Sequence, residues 1–569
     1  MGGSFGGRFT SWAALAALIV FAVGASAVWP REPVRASRGM VVSVSPPATE
    51  VGLAALQRGG SAVDAAVAVA FALAVTFPEA GNIGGGGFMV VRPGDGIEPV
   101  VIDYREVAPQ AAARELFATL DSRLGHKAVG VPGTVRGLAA AHRRFGRLPW
   151  KDVVQPAVEI AERGLILDAG LAGALNRLVG QSAAFPEFCR VYGKDGGQAA
   201  WAAGDRLTQP DLARTLRQIA EQGPDAFYRG EIADLIVAEM QRGSGLIAKE
   251  DLAAYAAQVK PPLRGTFRGY EILCPPPATG GTVLVEMLNI LENFDLQAQG
   301  RWAPETVHLI IEAMRLAYFD RACYLADPQF VPVPEFLVGK AYARRLAQSI
   351  DRKRAGNSAA LAGSRQIKLA DEGTHTTHFS VIDKSGMAVA NTYTLEYSYG
   401  SRVVVQGGGF LLNNEMGDFN WKPGRTDRSG TIGTPPNLIE PGKRMLSSQT
   451  PTIVTKDGRV VLITGSPGGR TIINTVLNVV LNVAEFQMDA ASAVDAPRFH
   501  HQWLPDRVVF ERRVGEDHPE LMEKLKALGH TIGKPSGSQG DAHTIWVDPQ
   551  TGERHGAADL RRQGSAMGY

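Results

Sequence analysis

The sequence predicts a mixed α+β protein, and two observations carry this prediction. Between about residues 130 and 350, apolar residues recur at helical spacing, for example over residues 212–221 and 307–317. Beyond about residue 375, short runs rich in β-branched and aromatic residues alternate with turn residues, which is typical of strands. The chain therefore divides near residue 375 into a helix-rich part and a part that opens with strands.

The first elements of the helix-rich part have recognisable signals. Residues 40–44 form a short, mostly apolar run that predicts a strand. Ser61, followed three residues later by an aspartate, predicts the N-cap of an Ala-rich helix that continues to Ala74. Residues 84–87 are four consecutive glycines that run into a strand-like segment, which predicts close backbone approach or unusual dihedral angles. Because no Gly-Lys-Ser/Thr follows, these glycines do not form a phosphate loop.

A β-hairpin is predicted where the strand-rich part begins. Two β-prone runs flank the turn sequence Asp-Lys-Ser-Gly at residues 383–386. If residues 383 and 386 close the turn, Thr376 lies opposite residue 393, and a loop longer by one residue puts Thr394 directly across from it. Threonine is also common in strands for its β propensity alone, so the hairpin by itself does not establish a site. The predicted strands of this part are residues 378–382, 387–395, 403–406, 453–454 and 460–463.

The N-terminus predicts export. Arg8 precedes an apolar stretch over residues 12–28 that ends in Ala25-Ser26-Ala27, so residues 1–27 are predicted to be a secretory signal peptide. We expect a periplasmic or extracellular protein; if the segment is not cleaved, it would instead be an N-terminal membrane anchor, because 17 residues is near the lower limit for spanning a bilayer.

Composition excludes several classes of function. The formal net charge of +2 favours neither nucleic acid nor acidic lipid as a partner. The three cysteines are too few and too widely spaced for a disulfide framework or a zinc site. We therefore expect no metal and no other cofactor.

Short motifs along residues 40–569 together resemble the gamma-glutamyltransferase family, whose members are N-terminal-nucleophile hydrolases. Each motif alone is weak, but their order and spacing make the combination specific. The motifs are Ile83-Gly84-Gly85-Gly86-Gly87-Phe88, Asp103-Tyr104-Arg105-Glu106, Gly130-Val131-Pro132-Gly133-Thr134-Val135, Pro275-Pro276-Pro277-Ala278-Thr279-Gly280-Gly281, Thr376-Thr377-His378-Phe379-Ser380-Val381, Leu446-Ser447-Ser448, Gly465-Ser466-Pro467-Gly468-Gly469 and His501-Gln502-Trp503-Leu504-Pro505-Asp506.

The resemblance implies a fold and a nucleophile. The fold is a four-layer αββα sandwich, made as one chain that cuts itself between His375 and Thr376. Thr376 becomes the nucleophile of the small subunit, residues 376–569, which intertwines with the large subunit, residues 28–375. Thr394 matches the hydroxyl that supports the nucleophile, and Gly468 and Gly469 match the pair whose N–H groups stabilise the oxyanion.

The resemblance also implies a site for the α-amino-acid head of a γ-glutamyl donor. Arg105, in the large subunit, matches the carboxylate-binding arginine, and a guanidinium suits bidentate contact with a planar anion. Ser447 and Ser448 match hydroxyls on the same carboxylate, while Glu415 and Asp418 match the acids that hold the ammonium. Glu396 stands where the family commonly has asparagine. Three carboxylates around one cation repel one another, so one of them is expected to take up a proton.

These residues predict cleavage of the γ-glutamyl amide of glutathione and related compounds through a γ-glutamyl-Thr376 intermediate. The group would pass to water, an amino acid or a peptide, so the expected partners are small molecules and the two fragments of the same precursor. One alternative is a related acylase that acts on a glutaryl-type or other amide. Another is a non-catalytic binding protein on the same fold, for which Glu396 leaves some room.

Overall fold

The computed structural model describes residues 1–3, 31–94, 96–120, 122–363, 375–421 and 435–569. The predicted signal peptide, residues 1–27, lies outside the described residues except for its first three positions. Within the described ranges, no helix is both long enough and apolar enough to cross a membrane.

Short and mostly antiparallel strands make up the centre of the molecule. In chain order they are β1 Val34–Ala36, β2 Met40–Ser43, β3 Gly86–Arg92, β4 Val100–Asp103, β5 Leu165–Ile166, β6 Arg206–Leu207, β7 Gln258–Lys260, β8 Leu263–Phe267, β9 Tyr270–Cys274, β10 Thr376–Ile382, β11 Ala388–Thr394, β12 Thr452–Lys456, β13 Arg459–Thr464, β14 Phe499–His500, β15 Val509–Phe510, β16 His543–Val547, β17 Arg554–Ala558 and β18 Ser565–Gly568.

Helices flank these strands. They are α1 Pro46–Gln57, α2 Ala62–Thr76, α3 Arg114–Ala118, α4 Thr134–Phe145, α5 Trp150–Arg163, α6 Ala169–Gly180, α7 Pro186–Tyr192, α8 Pro210–Gln222, α9 Asp225–Arg229, α10 Glu231–Arg242, α11 Lys249–Ala254, α12 Gly281–Leu291, α13 Leu296–Gln299, α14 Pro304–Tyr324, α15 Lys340–Ser349, α16 Ser358–Ala362, α17 Thr471–Ala484, α18 Ala490–Asp495, α19 Arg512–Asp517 and α20 Pro519–Ala527.

Two seven-stranded sheets stack face to face. Their strand orders are β1-β17-β16-β13-β12-β9-β8 and β18-β2-β10-β11-β3-β4-β7. Alternate residues of each strand point to opposite faces. Val90 of β3 and Ile463 of β13 therefore belong to the apolar layer between the sheets. Their neighbours Val91 and Leu462 pack instead into the helix layers outside, around α2 and around α14 and α17 respectively. The order helix, sheet, sheet, helix confirms the predicted αββα sandwich.

Strands from both sides of residue 375 share each sheet. In the second sheet, β10 and β11 lie between β2 and β3, and in the first sheet β9 pairs with β12. The predicted contrast between a helix-rich and a strand-rich part is therefore one of proportion only. Strands β7, β8 and β9 come from the part in which helical patterns dominate the sequence.

Three local predictions can be compared directly. The helix after Ser61 is confirmed: α2 begins with a capping box in which Ser61 and Asp64 each accept a hydrogen bond from the other residue's backbone N–H. The close approach at the glycine run is also confirmed, since a Cβ on Gly85 would lie 2.0 Å from the carbonyl oxygen of Thr394. The strand predicted over residues 403–406 is wrong. Its β-branched residues are followed at once by glycines that turn the chain back, and only Val404 makes an isolated bridge.

Candidate active site

The hairpin of β10 and β11 brings two threonine hydroxyls together. Thr376 pairs directly with Thr394, so the register differs by one residue from that of a turn closed by residues 383 and 386. The reason is the loop: Asp383 N–H donates to the Met387 carbonyl, which leaves a three-residue loop with Gly386 at a φ of 81°. The Asp383 carboxylate accepts hydrogen bonds from the N–H groups of residues 385 and 387, which stabilises this longer loop.

The Thr394 hydroxyl is the centre of a small hydrogen-bond network. It donates to the carbonyl oxygen of His375 over 2.7 Å and accepts from the Thr376 hydroxyl over 3.2 Å. It also accepts from the Glu396 N–H over 2.9 Å. Thr376 is only 5% exposed. The peptide bond between His375 and Thr376 therefore has the buried hydroxyl of Thr376 on one side and a hydrogen-bond donor on its carbonyl.

The glycine run positions the end of β11. Asn82 donates through its side-chain amide to the Thr394 carbonyl over 2.9 Å and accepts from the Gly85 N–H over 2.9 Å. Since any side chain at Gly85 would collide with that carbonyl, glycine is required where β3 passes Thr394.

One small cavity collects most of the residues predicted for the site. Gly468 and His375 are the exceptions, because each lines a different cavity. The lining residues of the first cavity are Arg105, Thr376, Thr394, Glu396, Glu415, Asp418, Ser447, Ser448, Gln449, Gly469 and Ile472.

Arg105 is buried among carboxylates. It forms ion pairs with Glu415 and Asp418, and its Nη1 lies 3.6 Å from Glu106 Oε2. Burial lowers the pKa of Arg105, but the neighbouring carboxylates raise it by more, so the guanidinium stays charged. The cation expected to bind the donor's carboxylate and the two anions expected to bind its ammonium thus contact one another.

Several acids of this cavity hold protons more tightly than usual. Burial raises the pKa of Glu415 to about 8 and that of Glu106 to about 8, in spite of the Arg105 charge. Burial also raises the pKa of Glu396 well above its usual value, and Asp418 adds to the shift. The nearest cation to Glu396 is Arg123, whose Nη1 lies 3.7 Å from one carboxylate oxygen. This supports the expectation that the cluster takes up a proton.

Gly468 and Gly469 lie at the start of α17. Gly468 has a φ of 131° and Gly469 a φ of 54°, which favour glycine over other residues. Within the part of the chain that the structure describes, neither N–H group donates a hydrogen bond to a protein acceptor. Both therefore remain available to an oxyanion, although only Gly469 lines the cavity of Thr376.

Sequence reasoning missed three side chains around this cavity. Gln449 lines it with an amide whose oxygen and nitrogen have no hydrogen-bond partner among the described residues. Arg321, from α14, donates to the Ser448 hydroxyl over 3.0 Å. Glu106 is buried beside Arg105. Glu106 belongs to a recognised motif but was given no role, Gln449 directly follows another motif, and Arg321 had no such signal.

A possible ligand set for a metal lies elsewhere. His308 and Glu312 of α14, together with His530, have ligand atoms within 4.8 Å of one another. However, the two imidazoles lie 2.7 Å apart at hydrogen-bonding distance, and Arg315 pairs with Glu312. These contacts account for the cluster without an ion, and none of its residues lines the Thr376 cavity.

The chain is similar to a known protein family, to curated relatives and to solved structures. A family model described as Gamma-glutamyltranspeptidase matches residues 48–569. A protein of Escherichia coli (strain K12) named Glutathione hydrolase proenzyme is 45% identical over 540 residues, which cover 93% of this chain and 91% of that protein. An Acylase ACY 1 proenzyme of Pseudomonas sp. (strain SE83) is 36% identical and covers 94% of each chain. The crystal structure of a cephalosporin acylase from Bacillus halodurans superposes with a TM-score of 0.83 at 28% identity, over 96% of this chain and 98% of that one.

Proposed function

The chain belongs to the gamma-glutamyltranspeptidase family, and from this premise we propose that it is a self-cleaving glutathione hydrolase or gamma-glutamyltransferase with Thr376 as its nucleophile. The single observation that carries the proposal is the network in which the Thr394 hydroxyl contacts both the Thr376 hydroxyl and the His375 carbonyl. A hydroxyl and a carbonyl held on either side of one peptide bond suit attack of Thr376 on that bond.

Self-cleavage would proceed in two steps. The Thr376 oxygen attacks the His375 carbonyl carbon, the C–N bond breaks, and the proton of the hydroxyl passes to the Thr376 nitrogen. Water then hydrolyses the resulting ester, which leaves a carboxylate on His375 and restores the hydroxyl of Thr376. The products are a large subunit of residues 28–375 and a small subunit of residues 376–569. The strands that both parts contribute to each sheet would keep the two together.

The new terminus supplies a base. An α-amino group has a pKa of about 7.7–8, so at neutral pH it can accept the proton of the adjacent hydroxyl. Thr376 then attacks the γ-carbonyl of the donor, and the oxyanion would receive hydrogen bonds from the N–H groups of Gly468 and Gly469. Water or an amino acid completes the transfer.

The donor's amino-acid head would rearrange the buried ion pairs. Its α-carboxylate would bind Arg105, Ser447 and Ser448, and its ammonium would take over the contacts of Glu415 and Asp418. Neutral Glu396 would accept a further hydrogen bond from the ammonium through its carbonyl oxygen. The charges of this cavity, one guanidinium with several acids, match a zwitterion better than a simple anion.

An acylase activity is the second candidate, because an acylase proenzyme and a cephalosporin acylase are among the relatives. A glutaryl group carries the carboxylate of the donor but lacks its ammonium. The acidic cluster around Glu415 would then have no ligand cation to bind, which favours the γ-glutamyl donor.

Two further points complete the proposal. We expect residues 1–27 to direct export to the periplasm or the cell exterior. In addition, a non-catalytic binding protein would have no use for the Thr376 and Thr394 hydroxyls that lie beside the His375–Thr376 peptide bond.

The test combines protein chemistry with matched substrates. The purified protein should run as two unequal fragments, and N-terminal sequencing of the smaller one should begin at Thr376. γ-Glutamyl anilide and glutaryl anilide differ only in the α-ammonium, so a clear preference for the first, together with cleavage of glutathione, supports the proposal. An intact chain, or a fragment that begins elsewhere, contradicts the self-cleavage. A preference for glutaryl anilide supports the acylase.

A further inference from the structure

The loop that follows α2 reaches the proposed cleavage site from a distant part of the chain. Glu79, in this loop, places its Oε1 2.8 Å from Nδ1 of His375, 296 residues away in sequence. Its other oxygen accepts a hydrogen bond from Arg562 Nη1 over 3.2 Å. The backbone carbonyl of Glu79 accepts from the Tyr399 N–H over 2.8 Å. Glu79 is therefore held by two other contacts while it contacts His375.

His375 is held by three contacts on three different atoms. Its carbonyl accepts from the Thr394 hydroxyl over 2.7 Å, its N–H donates to the Glu396 carbonyl over 3.3 Å, and its imidazole contacts Glu79. The imidazole is 34% exposed and borders a large open cavity. Among the described residues, Glu79 thus gives the His375 imidazole a fixed partner, and a fixed imidazole limits rotation of the residue whose backbone carbonyl contacts Thr394.

We infer that Glu79 is a positioning residue for self-cleavage, which acts through His375 to hold the scissile carbonyl between Thr376 and Thr394; the inference rests on the proposed function. Attack requires the hydroxyl and the carbonyl to stay aligned, and a small displacement of either lowers the rate steeply. The same loop also contributes Asn82, which donates to the Thr394 carbonyl over 2.9 Å. One loop therefore fixes both the scissile residue and the threonine opposite it.

The charge of Glu79 fits this role. Burial alone would raise the pKa of the Glu79 carboxyl, but the hydrogen bond from His375 and the charge of Arg562 lower it by more. A carboxylate is a stronger acceptor for an imidazole N–H than a neutral amide.

The experiment follows the appearance of the two fragments in freshly synthesised precursor. Glu79→Gln keeps the shape of the side chain and removes the charge; we expect self-cleavage about tenfold slower, which corresponds to about 1.4 kcal/mol in the barrier. His375→Ala removes the same contact from the other side and should slow cleavage to a similar degree. The double variant should be no slower than either single variant, because both remove one interaction.

A matched control distinguishes positioning from general damage. Glu239→Gln changes another His–Glu pair, in which His126 Nε2 lies 3.0 Å from Glu239 Oε1, and Glu239 lines a different cavity. It should cleave at the wild-type rate. Wild-type cleavage rates in Glu79→Gln or His375→Ala, or slowing that multiplies in the double variant, would overturn the inference alone. A wild-type chain that never cuts before Thr376 would instead remove the proposed function.

Discussion

Two adjoining regions differ in how their polar groups are satisfied. One is the hairpin end, where Thr376 lies opposite Thr394, and the other is the part of the cavity around Arg105 and Glu396, called here the donor cavity. At the hairpin end, the Thr394 hydroxyl uses its proton and both acceptor positions within the protein. In the donor cavity, both carboxylate oxygens of Glu396 and both amide atoms of Gln449 lack a hydrogen-bond partner among the described residues. Each buried polar group left without a partner costs about 1–3 kcal/mol.

The difference indicates what each region is arranged for. The hairpin is complete within the chain, as a reaction of the chain with itself would require. The donor cavity concentrates charge around Arg105 and leaves polar atoms unsatisfied, so it would be completed by a ligand with charges of both signs. Substitutions at the hairpin should therefore affect maturation, and substitutions in the cavity should affect substrate binding.

The largest effect is expected at Thr376. Thr376→Ala removes the proposed nucleophile and should leave one uncut chain whose glutathione cleavage is lower by about 10³-fold or more. Mass spectrometry of the purified chain and an assay of released glutamate measure both outcomes. Thr377→Ala is the control, since its buried hydroxyl has no partner in the described part of the chain and the variant should still cut itself. Cleavage of Thr376→Ala at the same bond would refute the assignment.

The next effect concerns the cavity. Arg105→Lys keeps the charge but loses the two-pronged contact with a carboxylate, so kcat/KM for γ-glutamyl anilide should fall about 100-fold, mainly through KM. The variant should mature normally, which a denaturing gel checks. Arg264→Lys, at an exposed ion pair with Glu271, should change nothing. If KM and kcat are both unchanged in Arg105→Lys, Arg105 does not bind the donor.

A smaller effect is expected at Thr394, on the rate of maturation. Thr394→Ala removes the donor to the His375 carbonyl, and a buried hydrogen bond of this kind is worth about 1–3 kcal/mol, or roughly tenfold to a hundredfold in rate. Thr394→Ser retains the hydroxyl and should cut itself at a rate close to that of the wild type. A time course on a denaturing gel separates the two. Equal rates for the alanine and serine variants would show that the hydroxyl is not needed.

The last effect, on stability and not on rate, is a pH dependence at Glu106, which lies beside Arg105 of the cavity. The pKa of Glu106 is raised by burial to about 8, so the folded protein keeps a proton that the unfolded chain releases above about pH 4.5. The stabilisation of the folded state by this bound proton is complete below pH 4.5 and is lost as the pH rises toward 8. In the uncut Thr376→Ala background, the free energy of unfolding should decrease as the pH rises. Glu106→Gln should make this slope shallower by about 1.4 kcal/mol per pH unit. Urea unfolding at pH 5, 6.5 and 8 measures the slopes, and equal slopes would contradict the raised pKa.

Prediction from sequence succeeded where the signal is local. The cap at Ser61 and the hairpin around residues 383–386 each depend on residues a few positions apart, and the run of four glycines marked the close approach at Gly85 by composition alone. The register of the hairpin was uncertain by one residue, because the Asp383 side chain stabilises a three-residue loop that the turn sequence alone does not distinguish from a two-residue one. The segment at residues 403–406 has the composition of a strand, but among the described residues its pairing is limited to the short stretch 410–412, with one bridge between Val404 and Leu411.

Through local patterns and ordered motifs, the amino-acid sequence by itself determined the fold class, the family and most of the residues that line the Thr376 cavity. Only the tertiary structure decided that Arg105 pairs with Glu415 and Asp418, and that Arg321 and Gln449 join the site. It alone brought Glu79 to His375. The physical reason is that hydrogen bonds and ion pairs depend on distances of a few ångströms between residues hundreds of positions apart. Chain topology and side-chain packing set those distances, and no local pattern records them.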